Sequence, residues 1–203
     1  MGTIALSYCL DASDRVVSVS DTYDQFGSAT NGKVEDSQVI GLSIWSFVQG
    51  LALQQALKRF LDRSRTRPGW LPYRCDSPVE LRLWKIEAGL DGAALRVTFT
   101  QLASRERPPA KKALKGLARP IQLCSWCNGV LEGGRLRWLP LEQAEQLAGM
   151  MLFSPSTVSH ILCPLCQCLL HCGDPLANCE HLEKLEVSSR AIVRLTEASR
   201  TAG

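Results

Sequence analysis

Histidine is missing from the first 120 residues of this 203-residue chain; all three, His160, His171 and His181, lie beyond them. A haem held by a histidine in the N-terminal half is therefore excluded. Cysteine is scarce there too, with Cys9 and Cys75 against seven cysteines from position 124 onward. The chain has no P-loop, no glycine-rich dinucleotide loop and no Ser/His/Asp nucleophile context, so no catalytic motif points to an enzyme. No charged n-region precedes the first apolar residues. The stretch Val39–Val48 is too short for a membrane span, and Leu51–Leu57 is too rich in glutamine. The expectation is a soluble, cytoplasmic protein with no membrane association.

What the chain does have is a C-terminal block of paired cysteines. Cys124-Ser-Trp-Cys127 is answered, after 35 intervening residues, by Cys163-Pro-Leu-Cys166. Two pairs at this spacing can each reach round one cation from a tight turn, and four thiolates complete the tetrahedral shell that zinc prefers in structural sites. In a reducing compartment, clustered cysteines favour metal over disulfides. Free buried thiols or disulfides are the competing reading. His160, three residues before Cys163, stands close enough to substitute as a ligand or to hydrogen-bond near the sulfurs. The interval holds a Gly133-Gly134 turn, a strand-like Arg135–Leu139 and a helix-like Leu141–Leu152, which can fold back to bring the pairs together. A domain this small has little core, and a metal would staple it.

Composition and charge divide the chain. Residues 1–104 carry 11 Lys/Arg against 11 Asp/Glu, residues 105–120 carry 6 against 1, and residues 121–203 carry 6 against 8. The expected organisation is an N-terminal domain over 1–104, a basic linker over 105–120, a cysteine-rich module over 121–180 and a C-terminal amphipathic helix or tail over 181–203. In the linker, Arg105, Arg107, Lys111, Lys112, Lys115 and Arg119 offer charge to an acidic partner or to nucleic acid phosphates. The plainer reading is a solvated linker stiffened by Pro108-Pro109. In the tail, Leu182, Leu185, Ile192 and Leu195 form an apolar stripe that can pair with itself or pack back on the module.

The N-terminal half reads as alternating elements. Ala5–Ser20 is a hairpin turning at Asp11-Ala-Ser-Asp14, and Asp21–Thr30 has helix-start chemistry closed by Asn31-Gly32. Val39–Val48 is an apolar run expected to pack the core. Gly50–Arg67 is an amphipathic helix with Leu53, Leu57, Phe60 and Leu61 on one stripe, ended by Pro68-Gly69. Three strands follow, Trp70–Cys75, Val79–Glu87 and Ala93–Leu102, with Gly89-Leu-Asp-Gly92 separating the last two. The fold class is α+β, a five-stranded antiparallel sheet with helices on one face, followed by the small cysteine-rich zinc-binding module.

This order of elements, with its Ile40-Gly-Leu-Ser-Ile-Trp-Ser-Phe47 run entering the longer helix, resembles a PAS sensory domain. Tyr73-Arg-Cys-Asp-Ser-Pro78 resembles a segment of bacterial PAS-like proteins that end in a cysteine-rich module. Leu123-Cys-Ser-Trp-Cys127, Trp138-Leu-Pro-Leu-Glu142 and Ser159-His-Ile-Leu-Cys-Pro-Leu-Cys166 are similar to a module attached to bacterial two-component and PAS proteins. That module usually reads Cys-Ser-Trp-Cys, then Trp with Pro-Leu-Glu, then Ser-His-Gly-Ile-Cys-Pro-x-Cys; here Ile161 stands where glycine is usual. The likeness spans roughly residues 5–168.

The resemblance implies a bacterial signal-transduction sensor or adaptor. Its PAS half would sense a small ligand or mediate association, and output would pass through a protein partner, such as a histidine kinase, or through a homodimer. The PAS ligand is not named by any residue, and neither Cys9 nor Cys75 stands in the Asn-Cys-Arg context of photoactive flavin domains. Cys75 is a thiolate ligand, a redox sensor or, more plainly, a strand-end residue. Cys168, His171, Cys172, Cys179 and His181 offer donors for a second metal or for thiol exchange with the first site. Two alternatives stand beside this reading: a nucleic-acid-binding regulator using the linker and module, and a thiol-based redox switch.

Overall fold

The computed structural model describes residues 5–22, 36–76, 80–106, 121–132, 137–148 and 158–172. The first strand, β1 (Ala5–Leu10), pairs antiparallel with β2 (Val16–Val19) across the expected turn. Asp11 makes that turn: its carboxylate accepts from the backbone N–H of Ser13 at 2.8 Å and of Arg15 at 2.9 Å. Asp14 follows in a left-handed conformation, and its buried carboxylate accepts from Trp45 Nε1 at 3.0 Å and from Arg65 Nη2 at 2.7 Å. The hairpin is thereby pinned to the segments that follow it.

A short helix, α1 (Asp36–Val39), and a 3-10 turn over Ile44–Ser46 lead into α2 (Leu51–Ser64). Three long-paired strands then run β3 (Gly69–Arg74), β4 (Glu80–Asp91) and β5 (Ala94–Glu106). The sheet is fully antiparallel in the order β2-β1-β5-β4-β3, so the fold is α+β as expected. α2 lays Ala56, Phe60 and Leu61 against Leu10, Val16, Leu71, Ile86, Leu95 and Val97. Cross-strand partners such as Leu71, Ile86 and Phe99 share that face, which is how period-2 alternation builds one apolar surface.

The second half forms a four-stranded sheet in the order β8-β7-β6-β9, from β6 (Ile121–Cys124), β7 (Val130–Glu132), β8 (Arg137–Leu139) and β9 (Val158–Ile161). Helix α3 (Leu141–Ala148) covers it with Leu141 and Ala144. Helix α4 (Pro164–Cys172) opens on a proline, tolerated at the first helical position where no N–H is needed. Leu165 and Leu170 of α4 belong to the same buried cluster as Phe60 and Leu61 of α2. This cluster joins the two halves, while Leu123, Val130, Leu139, Leu141 and Ala144 form a second one under α3.

Several sequence expectations are corrected. The run Val39–Val48 does not pack the core as a unit: Val39 is buried, but Ile40, Leu42 and Phe47 are each close to half exposed. The segment changes direction within a few residues, from one helical turn to a 3-10 turn, so no constant period can keep every apolar residue inward. β4 does not stop at Glu87 but continues through Gly89 to Asp91, and the turn is only Gly92-Ala93. Gly89 sits against Pro68, where a Cβ would come within 3.3 Å of the proline ring, so the glycine serves a close approach and not a break. β5 runs on to Glu106, which makes Arg105 a strand residue and not part of a free linker. The remaining linker cations, most of the Asp21–Thr30 helix, the Gly133-Gly134 turn and the C-terminal stripe lie outside the described residues.

Burial separates two phenylalanines sharply. Phe60 is 1% exposed and Phe47 48%. Phe60→Ala is expected to destabilise the fold by about 3–5 kcal/mol, and Phe47→Ala by less than about 0.5 kcal/mol. Urea midpoints of the two variants at unchanged slope check this; equal shifts would contradict the packing.

Candidate metal centre

The four paired cysteines converge. β6 ends at Cys124, and the chain then turns tightly: Cys124 N–H donates to Gly129 O at 2.7 Å, and Asn128 N–H donates back to Cys124 O at 3.0 Å. Asn128 takes a left-handed conformation at φ 57°, which asparagine tolerates. Gly129 packs so closely that a Cβ there would lie 3.2 Å from Cys127 Sγ. The second pair arrives on β9, which runs parallel to β6 with Ile161 opposite Cys124. Ser125 N–H donates to Ile161 O at 2.8 Å and locks that register. Cys163 then precedes α4 and Cys166 lies in its first turn, where peptide N–H groups and the helix dipole favour negative charge.

All four sulfurs lie within 4.8 Å of one another, and all four residues are buried. Cys127 Sγ and Cys163 Sγ are 3.8 Å apart. A tetrahedral shell with metal–sulfur bonds of about 2.3 Å has edges of about 3.8 Å, whereas a disulfide needs about 2.05 Å. Cys124, Cys127, Cys163 and Cys166 form no disulfide, so the disulfide alternative is not what the cluster forms. Two backbone donors point at sulfur: Cys163 N–H at Cys124 Sγ and Cys166 N–H at Cys163 Sγ, both at 3.4 Å. These four residues are placed to hold a metal ion.

Electrostatics agree with that placement. Hydrogen bonds from the Cys127, Cys163 and Cys166 thiols hold the Cys124 thiol well below its usual range, as one thiolate shared by its neighbours. Hydrogen bonding to Cys124 and Cys163, with burial, pushes the Cys127 thiol up, and the same contacts push up Cys166. The cluster accepts one negative charge readily and resists the next. Only a cation at its centre would let all four ionise together.

The centre is tied to the edge of the five-stranded sheet. Trp126, buried between the first two ligands in sequence, donates its Nε1–H to Pro72 O at 2.7 Å, and Arg74 N–H donates to Trp126 O at 3.0 Å. Its ring lies 5.4 Å from that of Tyr73. Beside it Asp76, its side chain wholly buried, accepts from Arg74 Nη2 at 2.5 Å, from Asn128 Nδ2 at 3.0 Å and from Arg82 N–H at 3.0 Å. Arg74 and Arg105 both reach Glu142 of α3, at 3.1 and 3.0 Å. Burial works to raise the Glu142 carboxyl, but the Arg74 charge and the hydrogen bonds outweigh it and hold it below its usual range.

The other sequence candidates fall elsewhere. His160 lies on β9 with an exposed side chain and is not in the sulfur cluster. Cys168 is half-buried on α4, and His171 Nδ1 lies 3.0 Å from Arg59 Nη1, a cationic neighbour that disfavours a metal there. Cys172 closes α4, while Cys179 and His181 lie outside the described residues. Among the described residues no second group of donors assembles. Cys75 is half-buried with Arg82 Nη2 at 4.0 Å from its sulfur. Sequence reading missed Asp76 as the joint between the halves; it had the look of a turn residue before Ser77-Pro78.

Two outcomes follow from the centre. Cys127 and Cys166 are held above the ordinary thiol value of 9.0 in the folded chain. Their contribution to the stability of metal-free protein is present below that value and lost as pH rises through their folded values. Metal-free protein is therefore expected to lose thermal stability above about pH 9, and addition of metal at neutral pH to release about two protons or more, read with a pH indicator in weak buffer. Separately, Asp76→Ala leaves the largely buried Arg74 with Glu142 alone and takes the acceptor from Asn128 Nδ2 and Arg82 N–H, and is expected to cost about 2–4 kcal/mol by chemical denaturation; a loss under about 1 kcal/mol, the scale of an exposed pair, would mean that Asp76 does not join the halves.

Comparison with protein-family models finds no match to this chain, and comparison with curated proteins finds none either, so what the four cysteines can do follows from their own geometry.

Proposed function

We propose that this chain is a non-catalytic signalling adaptor in which a PAS-like α+β half is stapled by one structural zinc ion held by Cys124, Cys127, Cys163 and Cys166. The observation that carries the zinc is the buried tetrad of sulfurs with a 3.8 Å edge, a donor set whose softness and shape suit a closed zinc site. The PAS-like reading is supported by the order of strand pair, helices and three closing strands in one five-stranded antiparallel sheet. Val17, Ile40, Leu42, Phe47 and Leu51, between 45% and 70% exposed, leave apolar side chains on the surface, and these favour a protein partner as the route of output.

The staple and the sheet act as one unit in this proposal, because Trp126 seats on β3 and α4 packs on α2. Zinc removal is then felt in the N-terminal half. Protein purified without added metal is expected to hold about one zinc per chain by mass spectrometry, and none in Cys124→Ser or Cys163→Ser. Chelation should lower the melting temperature of the whole chain in a single transition, by upwards of about 10 °C. Iron or no metal in the purified protein would remove the zinc, and an N-terminal half that melts unchanged after chelation would remove the coupling.

A further inference from the structure

Beside the metal centre lies an open cavity of about 590 Å³, between the ends of β4 and β5 and the start of α3. Its walls include Arg74, Arg82, Ser104, Arg105, Cys127 and Gly129. Of the four ligands, Cys127 alone lines it, and it is 7% exposed where the others are at 1% or less. Gly129 contributes to that opening, since any side chain there would press on Cys127 Sγ. A space of this size admits a small molecule as far as Cys127, while the other three ligands lie sealed behind it.

We infer that Cys127 is an oxidative modification site through which hydrogen peroxide opens the metal centre, with Cys163 as the resolving thiol. This rests on the metal reading above and adds to it the signal and the atom that receives it. In the first step the Cys127 thiolate attacks one peroxide oxygen. An S–O bond forms, the O–O bond breaks, and the leaving hydroxide takes up a proton to become water. Sulfur loses two electrons and the peroxide gains them, leaving Cys127 as a sulfenic acid. Arg74, Arg82 and Arg105 on the same walls offer N–H donors to the developing hydroxide, beside Glu142, which also lines the cavity and pairs with Arg74 and Arg105.

Cys163 Sγ stands 3.8 Å away and is next to react. Its thiolate attacks the Cys127 sulfur, an S–S bond forms, the S–O bond breaks, and a second hydroxide is protonated to water. The sum is two thiolates, one peroxide and two protons giving one disulfide and two water molecules. With two of four ligands consumed, the site no longer has a closed shell. The local effect reaches the sheet directly, because Trp126 precedes Cys127 and is hydrogen-bonded to β3.

The test uses the full chain in its zinc-loaded form, treated stepwise with hydrogen peroxide. Zinc release is followed with a chelating dye, and cysteines are mapped by mass spectrometry with dimedone present to trap sulfenic acid. The expected result is dimedone on Cys127 before any other ligand, then a Cys127–Cys163 disulfide with about one zinc released for each one formed. First modification at Cys124 or Cys166, or zinc retained while only Cys75 and Cys168 oxidise, would overturn the inference and leave the metal reading intact. A chain that carries no metal before peroxide is added overturns both.

Discussion

Four sulfur atoms buried within 4.8 Å of one another form an arrangement that apolar packing does not explain. Thiols are weak hydrogen-bond partners, and leucine would fill the same space at lower polar cost. The backbone around the cluster is instead organised for anions: two peptide N–H groups point at sulfur, and Cys166 lies in the first turn of a helix. Yet the thiols obstruct one another's ionisation, since Cys124 takes the first charge and Cys127 and Cys166 are pushed up. A site built for negative charge that cannot hold it alone calls for a cation. The parallel pairing of β6 with β9 and the placement of α4 both serve to close this cluster.

The second constraint is the free edge of the five-stranded sheet. β3 is the last strand in the order, and an unpaired edge invites association with other chains. Here two outward groups of that edge are used: Pro72 C=O accepts from Trp126, and Arg74 N–H donates to it. Pro72 fits this position because its missing N–H falls on the side away from β4. Asp76 then finishes the strand, its buried carboxylate taken up by Arg74 and by Asn128 of the cysteine turn. One side of the metal centre is thus part of the sheet's edge, and neither half presents a finished surface without the other.

Much of this was legible in the sequence wherever the signal was local. The paired cysteines announced themselves by spacing, the β1–β2 hairpin by Asp11 and Asp14, and α2 by the stripe of Leu53, Leu57, Phe60 and Leu61. What was not legible depended on partners far along the chain. The parallel strand β9 is fixed by β6, more than thirty positions away, and carries too few residues for its alternation to stand out. Val39–Val48 has the composition of a core strand, but its turns put Phe47 at the surface. Asp76 reads as a turn residue because its charge partner, Arg74, and its amide partner, Asn128, meet only after the halves dock. His160 lies near the ligands in sequence and is still carried outward, since its side chain lies on the exposed side of β9.

A metal centre gains a role in signalling only if its state alters something a partner can read. In this chain the ligand facing the cavity and the side chain seated on the sheet are consecutive residues, Cys127 and Trp126. A change that swings Cys127 toward Cys163 must move the peptide that also positions Trp126, because the turn between Cys124 and Gly129 is held by short backbone hydrogen bonds. Tyr73 packs on Trp126 and on Phe99, and Phe99 packs on Tyr8, so the displacement enters a row of aromatic rings crossing from β3 to β1. Packed rings change by discrete rearrangement and not by gradual strain, as close-packed interiors do. The same row lies on the helix-bearing face of the sheet, packed against the cluster that α2 closes. A change at the metal centre would then bias side chains on the face of the sheet where α2 packs.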